Sequence, residues 1–201
     1  MARNLISNFL TTIQAFNKMN KAFFLDRDGT LNIDYNYVHK PEEWTWCEGA
    51  IEALRWMKEH QYKIIVVTNQ SGIARNRYSE QDVQYLHGWV DKRLAKQNLY
   101  IDDWYYAPYH PEHDTNREYA PKDRKPGTGM FEKAAAKHDI DFNRSYMAGD
   151  KITDLKPAIE LNITPFFIRS RHEPDQDKQW LKNHNIPTFN NIGQVVDILH
   201  R

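Results

Sequence analysis

Two carboxylates, Asp26 and Asp28, stand one residue apart in "FFLDRDGTLN" (residues 23–32), where an apolar run gives way to a glycine turn. Like charges held that close repel unless a cation or a phosphate-handling site relieves them. Polar residues fall at comparable places elsewhere. Thr68 and Asn69 end the apolar run at 63–69, Gly149 and Asp150 end the one at 144–150, and Asp154 follows a short turn later. Arg124 and Lys125 come near the end of a long polar stretch, "APYHPEHDTNREYAPKDRKPGT" at 107–128. Asp26 and Asp150 are hard oxygen donors of the kind magnesium (Mg2+) prefers, with water and a substrate phosphate completing its octahedron. With that ion and Lys125 neutralising phosphate oxygens, a carboxylate can attack phosphorus in line and become an aspartyl phosphate. Asp26 is read as this nucleophile. Asp28, two residues on in an extended segment, points to the same side and is placed to protonate the leaving oxygen and then deprotonate water. Thr68 and Asn69 can donate hydrogen bonds to the transferring group, and Gly29 permits the sharp turn.

These residues need elements that bring them together. From Lys21 onward, short apolar runs alternate with helical patterns, the signature of an α/β fold with a parallel sheet covered by helices. Strands are expected over 21–26, 63–69, 101–108, 144–150 and 164–170, and helices over 48–61, 79–98, 129–139, 152–162 and 192–200. Ser79 with Asp82 three residues on resembles a capping box, with Asp in place of the usual Glu or Gln. In open parallel sheets ligands bind beyond the carboxyl ends of the strands. The candidate residues collect at those ends. Asp154 is read as supporting the metal site from behind its ligands rather than as a ligand.

With 201 residues and 40% hydrophobic content, the chain is sized for one core, read as residues 21–201. Residues 1–20 carry apolar positions at helical spacing and are read as a helical extension packed on the domain. Lys plus Arg and Asp plus Glu balance at 27 each, so no global field draws the protein to nucleic acid or anionic lipid. No apolar run reaches the ~20 residues that cross a bilayer. The single cysteine, Cys47, can build neither an intrachain disulfide nor a thiolate zinc cage, which fits a reducing cytoplasm. A monomer with a small-molecule substrate is expected.

"DRDGTLN", "TNQSGIAR", "RKPGTGM" and "GDKITD" occur in the order found in the haloacid dehalogenase superfamily, and the chain resembles its phosphatases. Within it, the chain is similar to the phosphatases of D-glycero-D-manno-heptose 1,7-bisphosphate, with the histidinol-phosphate phosphatases as near relatives. The resemblance covers residues 21 to about 170. It implies a Rossmann-like fold, Asp26 as nucleophile, Asp28 as proton donor, Thr68 and Lys125 as phosphoryl stabilisers and Arg124 in substrate recognition. It further implies substrate contacts from Asp34, Tyr35, Asn36 and Tyr37, from Asn69, Gln70 and Ser71, and from Lys151. Magnesium would be bound through the Asp26 and Asp150 carboxylates and the backbone carbonyl of Asp28. The implied reaction removes the 7-phosphate in the supply of nucleotide-activated heptose for surface glycans.

The long stretch departs from that pattern. Many of these phosphatases hold it with a zinc ion on three cysteines and a histidine, whereas Ala107, Tyr109, Pro121 and Asp123 occupy the matching positions here. Zinc is therefore not expected, although His110, His113, Asp114 and Asp123 are metal-capable types. Packing of Trp104, Tyr105, Tyr106, Tyr109 and Tyr119 is expected to order the loop instead. The short span between the first two strands leaves no room for a large cap domain. Three rivals remain: histidinol phosphate as substrate, a polynucleotide 3′-phosphatase needing a basic groove, and a catalytically silent sugar-phosphate binder.

Overall fold

Alternation along the strands decides which side chains face which layer. The computed structural model describes residues 19–113, 121–169 and 175–200. Its strands are β1 (Ala22–Leu25), β2 (Lys63–Asn69), β3 (Asp103–Ala107), β4 (Tyr146–Gly149), β5 (Thr164–Ile168) and β6 (Thr188–Phe189). They form one sheet in the order β3-β2-β1-β4-β5-β6, and every pairing is parallel. The helices are α1 (Ala50–Glu59), α2 (Glu80–Ala95), α3 (Gly129–His138), α4 (Ile152–Glu160), α5 (Asp175–Asn183) and α6 (Ile192–Leu199).

Phe23 and Leu25 of β1, with Ile64 and Val66 of β2, face the layer made by α1, α2 and α6. Ala22 and Phe24, with Ile65 and Val67, face the layer of α3, α4 and α5. All four residues of β1 are fully buried, as a central parallel strand covered on both faces requires. Phe24 packs on Phe131 of α3 with ring centroids 5.0 Å apart. Truncating so buried a ring to alanine would cost about 3–5 kcal/mol.

The expected strands and helices appear with trimmed ends. The capping box at Ser79 forms: its N–H donates to Asp82 Oδ2 at 2.8 Å, and its Oγ accepts from the Asp82 N–H at 3.2 Å. Two elements were not anticipated. Helix α5 is strongly polar, and among its described side chains only Leu181 is buried in the core, so its apolar stripe is too thin to read. Strand β6 is two residues long and owes its existence to pairing with β5. The helical extension expected over residues 1–20 lies, but for Met19 and Asn20, outside the described residues. Between β1 and β2 the chain makes only a 3₁₀ turn at Pro41–Glu43 and α1, so no cap domain is inserted there.

Candidate active site

The sheet order reverses at β1: the following strand pairs on one side, and β4 pairs on the other. A crevice opens beyond the carboxyl ends at such a point. Asp26 follows β1 directly, and its N–H donates to the carbonyl of Ala148 at 2.9 Å, fixing it beside β4. Thr68 and Asn69 end β2, Asp150 follows β4, and Asp154 lies in the first turn of α4. The segment after a 3₁₀ turn at Pro121–Asp123 then brings Lys125 against Asp26 and Asp154.

Carboxylate oxygens of Asp26, Asp150 and Asp154 lie within 4.8 Å of one another, and all three residues are buried. One internal cation answers two of them. Lys125 Nζ donates to Asp26 Oδ1 at 2.8 Å, to Asp154 Oδ1 at 2.8 Å and to the Val67 carbonyl at 2.7 Å, which uses all its hydrogens. Burial works to raise the Asp26 carboxyl, but Lys125 and then Lys151 outweigh it and hold Asp26 below its ordinary value. That keeps the Asp26 carboxylate ionised. Asp150 has no such partner. Burial pushes its carboxyl well above the usual range, Lys151 opposes this, and the charges of Asp26 and Asp154 add to it. Its Oδ1 is buried and accepts no hydrogen bond, with Lys151 Nζ at 3.8 Å.

A divalent cation fits this donor set. Asp154 has both oxygens engaged, Oδ1 with Lys125 and Oδ2 with the Lys151 N–H at 2.9 Å. Asp150 Oδ1 is the unsatisfied donor, and Asp26 has the oxygen that Lys125 does not take. Gly29 belongs to the same geometry. Its φ is +89°, and a Cβ there would lie 2.4 Å from Asp150 Oδ2. Any side chain would displace the carboxylate.

Asp28 is held differently. Its carboxylate accepts from Asn32 Nδ2 at 2.9 Å, from Gln70 Nε2 at 3.0 Å and from the Arg27 guanidinium at 2.9–3.1 Å. Gln70 also donates to Thr68 Oγ1 at 2.9 Å, which leaves the threonine hydrogen available to a ligand. Tyr78 in turn donates to Gln70 Oε1 at 2.7 Å.

Two cavities meet at Asp28. The inner one, about 50 Å³, is lined by Asp26, Asp28, Thr68, Asn69, Lys125, Lys151, Thr153 and Asp154. The outer one, about 190 Å³, is lined by Asp34, Asn36, Tyr37, Gln70, Ser71 and Tyr78 and shares Asp28, Asn69 and Lys151 with the inner. The geometry can thus hold a phosphoryl group in the recess and a small polyol outside it, with a carboxyl at the boundary. Nearly all residues singled out in the sequence converge here. Tyr35 is half-exposed and lines neither cavity, and Arg124 turns its Nη1 to the Tyr109 carbonyl at 2.8 Å. Sequence reasoning missed Thr153, Tyr78, Asn32 and Arg27. A charged residue at the end of a wholly apolar strand was the available signal for Arg27.

Asn69 helps to anchor the long loop: its Nδ2 donates to the Lys125 carbonyl and its Oδ1 accepts the Lys125 N–H, both at 3.0 Å. Of the aromatic residues named for this loop, Tyr105 and Tyr109 pack against the cluster that includes Met130, while Trp104 stacks on His87 of α2. Tyr119 and Asp114 lie outside the described residues. His110, Glu112 and His113 bring ligand-capable atoms within 4.8 Å of one another. His110 Nε2, however, lies 2.9 Å from Arg75 Nη2, a donor that occupies its lone pair. Asp123 is paired with Lys133 at 2.7 Å.

Comparison with known proteins agrees with this geometry. A family model described as "Polynucleotide kinase 3 phosphatase" matches residues 21–188. A D-glycero-beta-D-manno-heptose-1,7-bisphosphate 7-phosphatase of Haemophilus influenzae is 47% identical over 145 residues, covering 72% of this chain and 79% of that one. Its counterpart from Escherichia coli K12 is 38% identical over 168 residues, covering 81% and 88%. Among solved structures, a D,D-heptose 1,7-bisphosphate phosphatase from B. bronchiseptica complexed with magnesium and phosphate superimposes with a TM-score of 0.75. It is 24% identical, with 89% of this chain and 97% of that one covered. A HAD-like phosphatase from Mesorhizobium loti, described as putative, gives a TM-score of 0.70 at 28% identity, covering 78% and 76%. With the phosphoryl-sized recess, the paired aspartates and these relatives in view, the chain belongs to the haloacid dehalogenase phosphatases, in the family of the heptose 1,7-bisphosphate 7-phosphatases.

Proposed function

We propose that this phosphatase is magnesium-dependent and removes the 7-phosphate of D-glycero-D-manno-heptose 1,7-bisphosphate in the cytoplasm. The observation that carries the reading is the position of Asp28 between a charge-dense recess and a polyol-sized chamber. Asp26 and Asp150, with the Asp28 backbone carbonyl, would hold Mg2+, whose charge offsets that of the phosphoryl oxygens. The presence of magnesium in a structure of the same fold supports this.

The rest is the work of the chain's own residues. Thr68 donates its hydroxyl hydrogen to one phosphoryl oxygen, Lys125 turns the hydrogen it shares with Asp26 toward another as the phosphate enters, and the oxygen of Asp26 outside that bond attacks phosphorus. The bond from phosphorus to the sugar oxygen breaks as the new bond to Asp26 forms, and Asp28, which would take up a proton as the phosphate dianion enters, gives that proton to the departing oxygen. Asp28, now a carboxylate, takes a proton from water as the water oxygen attacks phosphorus. The bond to Asp26 breaks, inorganic phosphate leaves, and both aspartates return to their starting states. Asp34, Asn36, Tyr37, Ser71 and Lys151 face the sugar, and Asp154 keeps Lys125 aimed.

Phosphate release is to be measured with heptose 1,7-bisphosphate, histidinol phosphate and a 3′-phosphorylated oligonucleotide, each with and without Mg2+. Fastest turnover of the heptose, and none without the ion, is expected. Preference for the oligonucleotide, to which the family description points, or for histidinol phosphate would replace the substrate assignment. Release undiminished by chelation would remove the metal.

A further inference from the structure

Arg27 lies between the two aspartates in sequence and is 0% exposed. A guanidinium cannot shed its charge, so its burial requires a complete set of acceptors. Nε donates to Asp28 Oδ2 at 3.1 Å, and Nη2 reaches Asp28 Oδ2 at 2.9 Å and Oδ1 at 3.1 Å. The same Nη2 donates to the Val38 carbonyl at 2.6 Å, and Nη1 lies 3.3 Å from His87 Nε2. The His87 ring is itself fixed, stacked on Trp104 at 4.0 Å between centroids. Being buried beside this cation, it is neutral and can accept. Val38 is a core residue at the end of the segment whose Asp34, Asn36 and Tyr37 wall the outer chamber.

We propose that Arg27 is a positioning residue: its planar fork locks the Asp28 carboxyl at the mouth of the recess and ties it to the wall that holds the leaving group. A lysine could supply the charge but not three fixed directions of donation. Proton transfer needs the donor within hydrogen-bond reach of the departing oxygen, so a loosened Asp28 costs rate wherever that oxygen needs a proton. The inference rests on Asp28 being the proton donor, as read above.

The test compares esters by their need for that proton. In the magnesium-loaded enzyme, kcat/KM is measured for a sugar phosphate and for p-nitrophenyl phosphate, whose phenolate leaves unprotonated. Arg27→Met should lower the sugar phosphate value about a hundredfold more than the aryl value, and Arg27→Lys about tenfold more. Asp28→Asn is the reference and should show the same selective loss. An equal fall with both esters, or no fall, in the Arg27 variants overturns the proposal while Asp28→Asn remains selective. If Asp28→Asn itself lowers both equally, it is the proton-donor reading that fails. Should Arg27→Met not fold, Arg27→Lys decides, and its failure to fold also overturns the proposal by making the residue purely structural.

Discussion

The recess and the chamber it opens into are built on opposite plans. At the recess, Asp26, Lys125, Asp150 and Asp154 are each 5% exposed or less, and the Lys125 ammonium bridges two of the three carboxylates. In the chamber, Asp34, Asn36 and Tyr37 sit on a surface segment, and both Asn36 and Tyr37 adopt positive φ. The sheet therefore dictates the position of the reacting groups, while turns dictate what leaves. Changes in the recess should abolish turnover for every substrate, whereas changes in the chamber should discriminate among them.

The largest effect is expected from Asp26→Asn. It removes the oxygen proposed to attack phosphorus, and turnover should fall at least ~10⁴-fold with all esters while circular dichroism stays native. Retained turnover would break the contrast at its root. Lys125→Met comes next. It takes away the phosphoryl partner, worth about 10²–10³ in kcat. It also leaves Asp26 and Asp154 buried without their cation, which should destabilise the fold by about 3–5 kcal/mol in denaturant titration.

A smaller effect concerns pH. Without metal, burial raises Asp150 in the fold, so the native state keeps a proton that the unfolded chain has lost. Stability from this group is complete at low pH and declines as pH climbs from about 4 through the raised native value. Mg2+ reverses that loss, so the rise in melting temperature on adding it should be larger at about pH 8 than at about pH 5. Equal shifts would separate Asp150 from the ion. The mildest prediction is for the chamber: Asn36→Ala should raise KM for the sugar phosphate about two- to fivefold and leave p-nitrophenyl phosphate unaffected.

The contrast also explains what the sequence made legible. Strand runs such as "KIIVVTN" are apolar throughout because both faces are covered, and a carboxylate after such a run can be read without coordinates. Asp26 and Asp150 were visible for that reason, whereas Lys125 stood out near the end of the long polar stretch at 107–128. Asp28 was expected beside Asp26 from simple alternation; it does reach the recess, but within a turn closed by Gly29 and Asn32. Arg27 and Asn32 act on Asp28 from one and four residues away, but inside a turn that alternation does not reveal, while Gln70 reaches it across 42 residues and is itself held by Tyr78, and pairing at that distance has no local pattern. One anchor of the long loop was hidden for the same reason. The amide of Asn69 grips the Lys125 backbone across 56 residues, and nothing near either position announces it.

Strand β1 pairs at Phe23 with Lys-flanked Ile64 on one side and with Tyr146 on the other, so its neighbours come from distant thirds of the chain. No contiguous fragment carries both the attacking carboxylate and its counter-charges in place. Competence to hydrolyse thus arrives only when the last of these partners docks, and it vanishes when the first departs. Activity loss and global unfolding should trace a single curve in urea, which makes turnover itself a gauge of the folded population.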